Sequence, residues 1–148
     1  MLALTGRILI AAIFAYFGYL KLMGFHGSVG YFAKLGFPLP EVSAVLAIVF
    51  ELGGGVLLIL GLKTRWVAWA LVVYTAVATL VAHRYWSYPP DQAFNQMSHF
   101  FKNVSLIGGL IMLAAFGPGP NAVSRISPPI NDRFLKKCDI WLNASPGG

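Results

Sequence analysis

Four apolar stretches, each near the length that carries an α-helix across a bilayer, constrain this chain more than anything else in it. They run from about Leu4 to Met23, Val42 to Leu62, Trp66 to Val81 and Met97 to Phe116. A hydrocarbon core about 30 Å thick needs roughly 20 helical residues. The third stretch is the shortest, and Tyr85, Trp86 and Tyr88 can seat its outer end among the headgroups, extending that span to residue 86. Helix is the required conformation, because an open strand edge would leave backbone groups unpaired in lipid and none of the runs alternates as a barrel strand does. The expected fold is therefore all-α: a polytopic four-helix membrane bundle over residues 1–116, followed by a polar tail over 117–148. Of the 148 residues 57% are hydrophobic and 11% charged, against about 25% charged in a soluble domain, so too few polar groups are present to cover a water-facing surface.

The net charge of +6 raises the question of nucleic acid, whose binding needs a dense phosphate-neutralising face. Here the basic residues are dispersed among apolar runs, and no such partner is expected. They mark membrane sidedness instead. Arg7, then Lys63 and Arg65, then Arg125, Arg133, Lys136 and Lys137 fall on one side, and Lys34 and Arg84 on the other. Both termini are accordingly expected in the cytoplasm. The first span reads as uncleaved, since Tyr19 to Met23 offers no small-x-small cleavage site. A single cysteine, Cys138, excludes an internal disulfide and a Cys-x-x-Cys pair. In the tail, Ile130, Phe134, Cys138 and Trp141 could form the apolar face of a short interfacial helix around Asp132 to Leu142.

Ionisable groups inside spans cost about 2.5–3.5 kcal/mol each on insertion scales and point to function. Glu51 lies about nine residues into the second span, roughly 14 Å deep at the helical rise, too far in to snorkel. Lys21 closes the first span, His83 and Arg84 close the third, and His99, Lys102 and Asn103 open the fourth. His99 shares a helix face with Lys102 and Asn103, and Thr75, Thr79 and His83 form a stripe at spacing four. Lys102 near a helix N-terminus calls for an anion, and Glu51 is the one acidic residue inside a span. A buried polar pocket in the outer half, built from Glu51, His83, His99, Lys102 and Asn103 with Lys21 at its edge, follows as the candidate site for proton relay or binding. The bland reading of the same residues is interhelical hydrogen bonding that holds the bundle together. No metal is expected, because no two ligands are paired on one helix and a lysine would oppose the cation. Gly53-Gly54-Gly55 beside Glu51 reads as a surface for close backbone approach.

Gly6-Arg7-Ile8-Leu9, Phe14 through Gly18 to Lys21, Gly36-Phe37-Pro38-Leu39-Pro40, Glu51-Leu52-Gly53-Gly54-Gly55, Gly61-Leu62-Lys63-Thr64-Arg65 and His99-Phe100-Phe101-Lys102-Asn103 occur in an order that resembles the DoxX family over about residues 4–116. The resemblance implies a multi-pass protein of the bacterial cytoplasmic (inner) membrane, with relatives linked to thiosulfate:quinone oxidoreduction or to oxidative-stress membrane complexes. No flavin, haem or other intrinsic cofactor motif is present, so a bound quinone or lipid is the expected ligand. On this reading the chain is a membrane subunit of a quinone-linked redox assembly, with the bilayer and either a protein partner or further copies of itself as its contacts. The alternatives are a non-catalytic accessory subunit and, less readily without inverted repeats, a small transporter. The orientation is directly testable: a green fluorescent protein fused to the C-terminus is expected to fluoresce, and alkaline phosphatase fused after Lys34 to be active. The opposite pair of results would reverse the topology.

Overall fold

A computed structural model, which describes residues 2–119 and 122, contains four helical spans and no strand among those residues. Helix α1 (Leu2–Met23) is the first span, and a short α2 (Phe25–Lys34) follows it. The second span is composite: α3 (Pro40–Ile48), a π-helical turn at Val49–Gly53, and α4 (Gly54–Leu60). Helix α5 (Thr64–Ala82), a 3₁₀ turn at Tyr85–Ser87 and α6 (Pro90–Phe116) complete the bundle.

The helix boundaries depart from the apolar runs where local chemistry extends the helix. Pro40 and Pro90 occupy first-turn positions of α3 and α6, where a missing N–H costs nothing and φ is already helical. Both helices therefore begin in polar sequence ahead of the hydrocarbon-length run. At 27 residues, α6 is about 40 Å long by helical rise, longer than the apolar core is thick. At the far end of the second span, Gly61 takes the left-handed conformation that terminates α4 (φ 73°), and Thr64 starts α5 at once. The interfacial helix expected around Asp132 to Leu142, and Cys138 within it, lie outside the described residues.

Packing rests on small residues. Ala11, Phe14, Leu58, Ala68, Leu71, Leu110 and Ala114 form the buried core, while many large apolar side chains, such as Val73, Leu80 and Met112, face outward, as lipid solvent permits. Helices α5 and α6 pair extensively, and α1 packs along α4 and the π turn. At that second contact the backbones nearly touch. A Cβ on Gly18 would stand 2.4 Å from the Leu52 nitrogen, and one on Gly55 2.7 Å from the Ala15 nitrogen. Without a hydrophobic force between helices in lipid, such close van der Waals approach is a main source of association.

Arg7, only 2% exposed, is more than a marker of sidedness. Its Nη1 donates to the Pro118 carbonyl at 2.6 Å and its Nη2 to the Ile59 carbonyl at 3.2 Å. These oxygens belong to the C-terminal ends of the second and fourth spans, where carbonyls lack intrahelical donors and the helix dipole favours a cation. One guanidinium thus ties three spans together at the end of the bundle that holds the start of α1. Gly61 lies against it, since a Cβ there would meet Arg7 Nη1 at 2.8 Å and the Ala122 Cβ at 2.7 Å.

Gly18→Ala must push two backbones apart and is expected to destabilise the bundle by about 1–3 kcal/mol. Gly53→Ala, whose added carbon meets nothing within 4 Å, is expected to be neutral or slightly stabilising. Unfolding of both variants in detergent, followed by far-ultraviolet circular dichroism, checks the contrast.

Candidate functional site

The π turn sets the position of the central carboxylate. An added residue in one helical turn bulges the backbone at Val49–Gly53, and such bulges occur often at functional sites. Glu51 projects from it and is 9% exposed. Its Oε2 lies 2.6 Å from Lys21 Nζ, and its Oε1 accepts from the Tyr74 hydroxyl at 2.6 Å. Both oxygens are therefore engaged by short, charge-assisted bonds. Lys21 arrives there because Gly18, one turn earlier on α1, rests on the backbone at Leu52, which brings the end of α1 alongside the π turn. Phe50 stacks on the Tyr74 ring at 5.4 Å with 5° between planes, fixing the phenol as it reaches for Glu51.

A second polar group forms where α5 meets α6. His83 Nδ1 is 2.8 Å from Gln96 Oε1, and the His83 and His99 rings stack at 5.1 Å and 19°. Lys102 Nζ lies 3.1 Å from His99 Nδ1; an ammonium can only donate, so that nitrogen accepts and the ring carries its proton on Nε2. Asn103 donates from Nδ2 to Thr79 Oγ1 at 3.0 Å, and Thr79 donates in turn to the Thr75 carbonyl at 2.6 Å. The Thr75 hydroxyl is buried without a partner.

Both groups border one cavity of about 500 Å³, within the range of small-molecule sites. Its apolar walls come from all four spans and from α2 and the connection after it, including Phe14, Phe32, Phe37, Leu46, Val77 and Leu106. Phe17 is close to both polar groups: Lys21 Nζ is 5.8 Å and Lys102 Nζ 5.9 Å from its ring centre, near enough for cation–π attraction. Tyr31 of α2 also lines the cavity, and its phenol is held above its ordinary pKa by burial and by the neighbouring Tyr88. It therefore stays a neutral hydrogen-bonding group.

All six residues singled out from the sequence, Lys21, Glu51, His83, His99, Lys102 and Asn103, line this cavity. Their pairing differs from expectation in one respect. The cation on Glu51 is Lys21, and Lys102 turns to His99 instead. The cause is helix packing: α6 lies mainly on α5 and the turn after it, whereas α1 packs on the π turn. Arg84 is exposed and not part of the lining. Tyr74 and Gln96 were missed. Tyr74, one residue before the hydroxyl stripe of Thr75 and Thr79, was masked by the abundance of aromatics. As to metals, the histidine rings are stacked nearly face to face, so their lone pairs lie in almost parallel planes and do not converge, and no group of three or more possible ligands forms among the described residues. What the arrangement offers is hydrogen-bond donors, one ion pair and a second ammonium within an apolar chamber.

Among known proteins, the DoxX family description matches residues 2–84. The Escherichia coli (strain K12) inner membrane protein YphA is 39% identical over 125 residues, which cover 84% of this chain and 89% of that protein. Inner membrane protein YqjF of the same organism is 29% identical over 123 residues, covering 83% and 89%. A Surfeit locus protein 4 homolog of Schizosaccharomyces pombe is 27% identical over 122 residues, 81% of this chain but 35% of that longer protein. No solved structure matches significantly.

The ion pair is testable by a double-mutant cycle. Glu51→Leu strands the Lys21 ammonium and is expected to cost about 2–4 kcal/mol, and adding Lys21→Leu to recover most of that loss. Equal losses in the single and double variants, measured by unfolding in detergent, would contradict the pairing.

Proposed function

This chain belongs to the DoxX family of bacterial inner-membrane proteins, and we propose that it is the membrane subunit of a quinone-linked redox assembly whose cavity receives the quinone ring. The observation that carries this reading is the presence of two separate polar groups inside one apolar chamber. Lys21 and Tyr74 gather at Glu51, and Lys102 at His99, with both ammonium groups near the Phe17 ring. A quinone has a flat apolar ring with a carbonyl oxygen at each end, so it asks for aromatic walls and separated donors. The residues fit that demand. Thr75 adds a buried hydroxyl with no protein partner, a group that a polar ligand atom would satisfy.

When bound, a quinone supplies the capacity to accept electrons and protons, which the chain's own side chains do not. The residues would orient it and manage charge. Lys21 and Tyr74 hold Glu51 in place, and Glu51 is the group able to hold a proton at Oε1 or Oε2 deep in the span. The stacked Phe50–Tyr74 pair and the Phe32 and Phe37 side chains supply flat apolar wall for the ring. With the termini on the cytoplasmic side, as the basic residues suggest, this chamber lies in the outer half of the bilayer. The source of electrons is then a partner protein.

Protein purified in native-lipid nanodiscs is expected to retain close to one extractable quinone per chain. Tyr74→Phe, which frees Glu51 Oε1, and Glu51→Gln are each expected to lower quinone-dependent turnover of the assembly by about tenfold or more. Protein that carries no quinone and takes none up when it is supplied would sink the proposal.

A further inference from the structure

The cavity carries an unbalanced charge. Two ammonium groups line it, Lys21 and Lys102, and one carboxylate, Glu51. Both Glu51 oxygens are taken by Lys21 and Tyr74, so the carboxylate is spent within its own group. Lys102 has as neighbours the neutral His99 ring and the Phe17 face. The other acidic side chains among the described residues, Glu41 and Asp91, belong to the first turns of α3 and α6 and do not line the cavity. His83 and His99 add hydrogen-bonding nitrogens and no negative charge. The sequence alone put Lys102 near a helix start, but α6 begins at Pro90, roughly three turns earlier, so the dipole does not act on it; what remains is an ammonium within the fourth span with no carboxylate beside it, which is costly in a membrane. An anion at that point would relieve that cost.

From this we infer that the Lys102, His99 and His83 end of the cavity is an anionic-oxygen subsite, and that the ligand is an acidic amphiphile: an apolar body bearing one ionised oxygen. The inference rests on the reading of the cavity as a quinone-type site and narrows it to an acidic ring, such as an alkylated hydroxyquinone in its ionised form. The same chemistry could be met by the phosphate of an anionic phospholipid.

The test uses the full-length protein in phosphatidylcholine nanodiscs and two probes that differ in one methyl group. One is an alkyl-hydroxynaphthoquinone at a pH where its hydroxyl is ionised, and the other is its neutral methyl ether. Wild-type protein is expected to bind the ionised probe about tenfold or more tightly than the ether, the scale of one hydrogen bond to a charged group. Lys102→Gln is expected to bring the two affinities within about twofold, and Lys102→Arg to keep the preference. Equal binding of both probes by wild type overturns the anionic subsite and leaves the quinone reading standing. A preference that survives Lys102→Gln also overturns it. If neither probe binds, both readings fall. Nanodiscs containing phosphatidylglycerol separate the sources: selective displacement of the ionised probe from wild type, but not from Lys102→Gln, assigns the anion to lipid phosphate, and an undisturbed preference assigns it to the free amphiphile. Both results support the cationic subsite.

Discussion

The approach of α1 to the second span, backbone against backbone at Gly18 and Leu52 and again at Gly55 and Ala15, is the contact on which the other features depend. In hydrocarbon, apolar side chains gain nothing by leaving lipid for one another, so helices associate where their surfaces fit closely or where polar groups meet. This contact supplies both. The absence of a Cβ at Gly18 and Gly55 lets the axes close, and that closeness brings Lys21 within 2.6 Å of Glu51. At the other end of α1, Arg7 reaches carbonyls at the ends of the second and fourth spans. A helix gripped by charge at both ends and by shape in its middle has little freedom to slide or rotate.

Where the spans do not close, the chamber remains. Aromatic side chains line it because they are broad, rigid and apolar on their faces, and the polar groups within it are mostly satisfied by one another. Glu51 takes two donors, Asn103 and Thr79 relay to a backbone carbonyl, and His83 holds Gln96. Polar networks in low dielectric are costly unless each member is paired. The unpaired Thr75 hydroxyl and the loosely held Lys102 therefore stand out, and they are the groups with most to gain from a ligand.

The sequence was most informative where the bilayer itself imposes the rule. Span number and approximate extent follow from length and hydrophobicity, which need no knowledge of tertiary contacts. Glu51 was identifiable as an intramembrane group because depth along a helix is simple arithmetic, and the His99–Lys102 proximity followed from helical spacing. What escaped was everything fixed by the rotation of one helix against another. Lys21 and Lys102 are equally plausible partners for Glu51 until Gly18 is known to rest on Leu52. Tyr74 was indistinguishable from a lipid-facing aromatic until Phe50 was seen stacked on it. Arg7 looked like a flanking charge because the carbonyls it binds, at Ile59 and Pro118, are distant in the chain. The π turn left no trace in composition.

That turn has a consequence for how this polypeptide can vary. Each residue advances an α-helix by about 100°, so the wide turn at Val49–Gly53 works as a phase correction between the two halves of one membrane rod. Straightening it into regular helix without removing a residue would leave an unbroken rod of adequate length and greasiness, and would still insert. Everything beyond would be swivelled by roughly a quarter of a revolution, aiming Gly55 and Leu58 away from the neighbours they now meet. Excising one residue would instead restore an ordinary turn with both halves in phase, and the loss would fall on the bulge that presents Glu51.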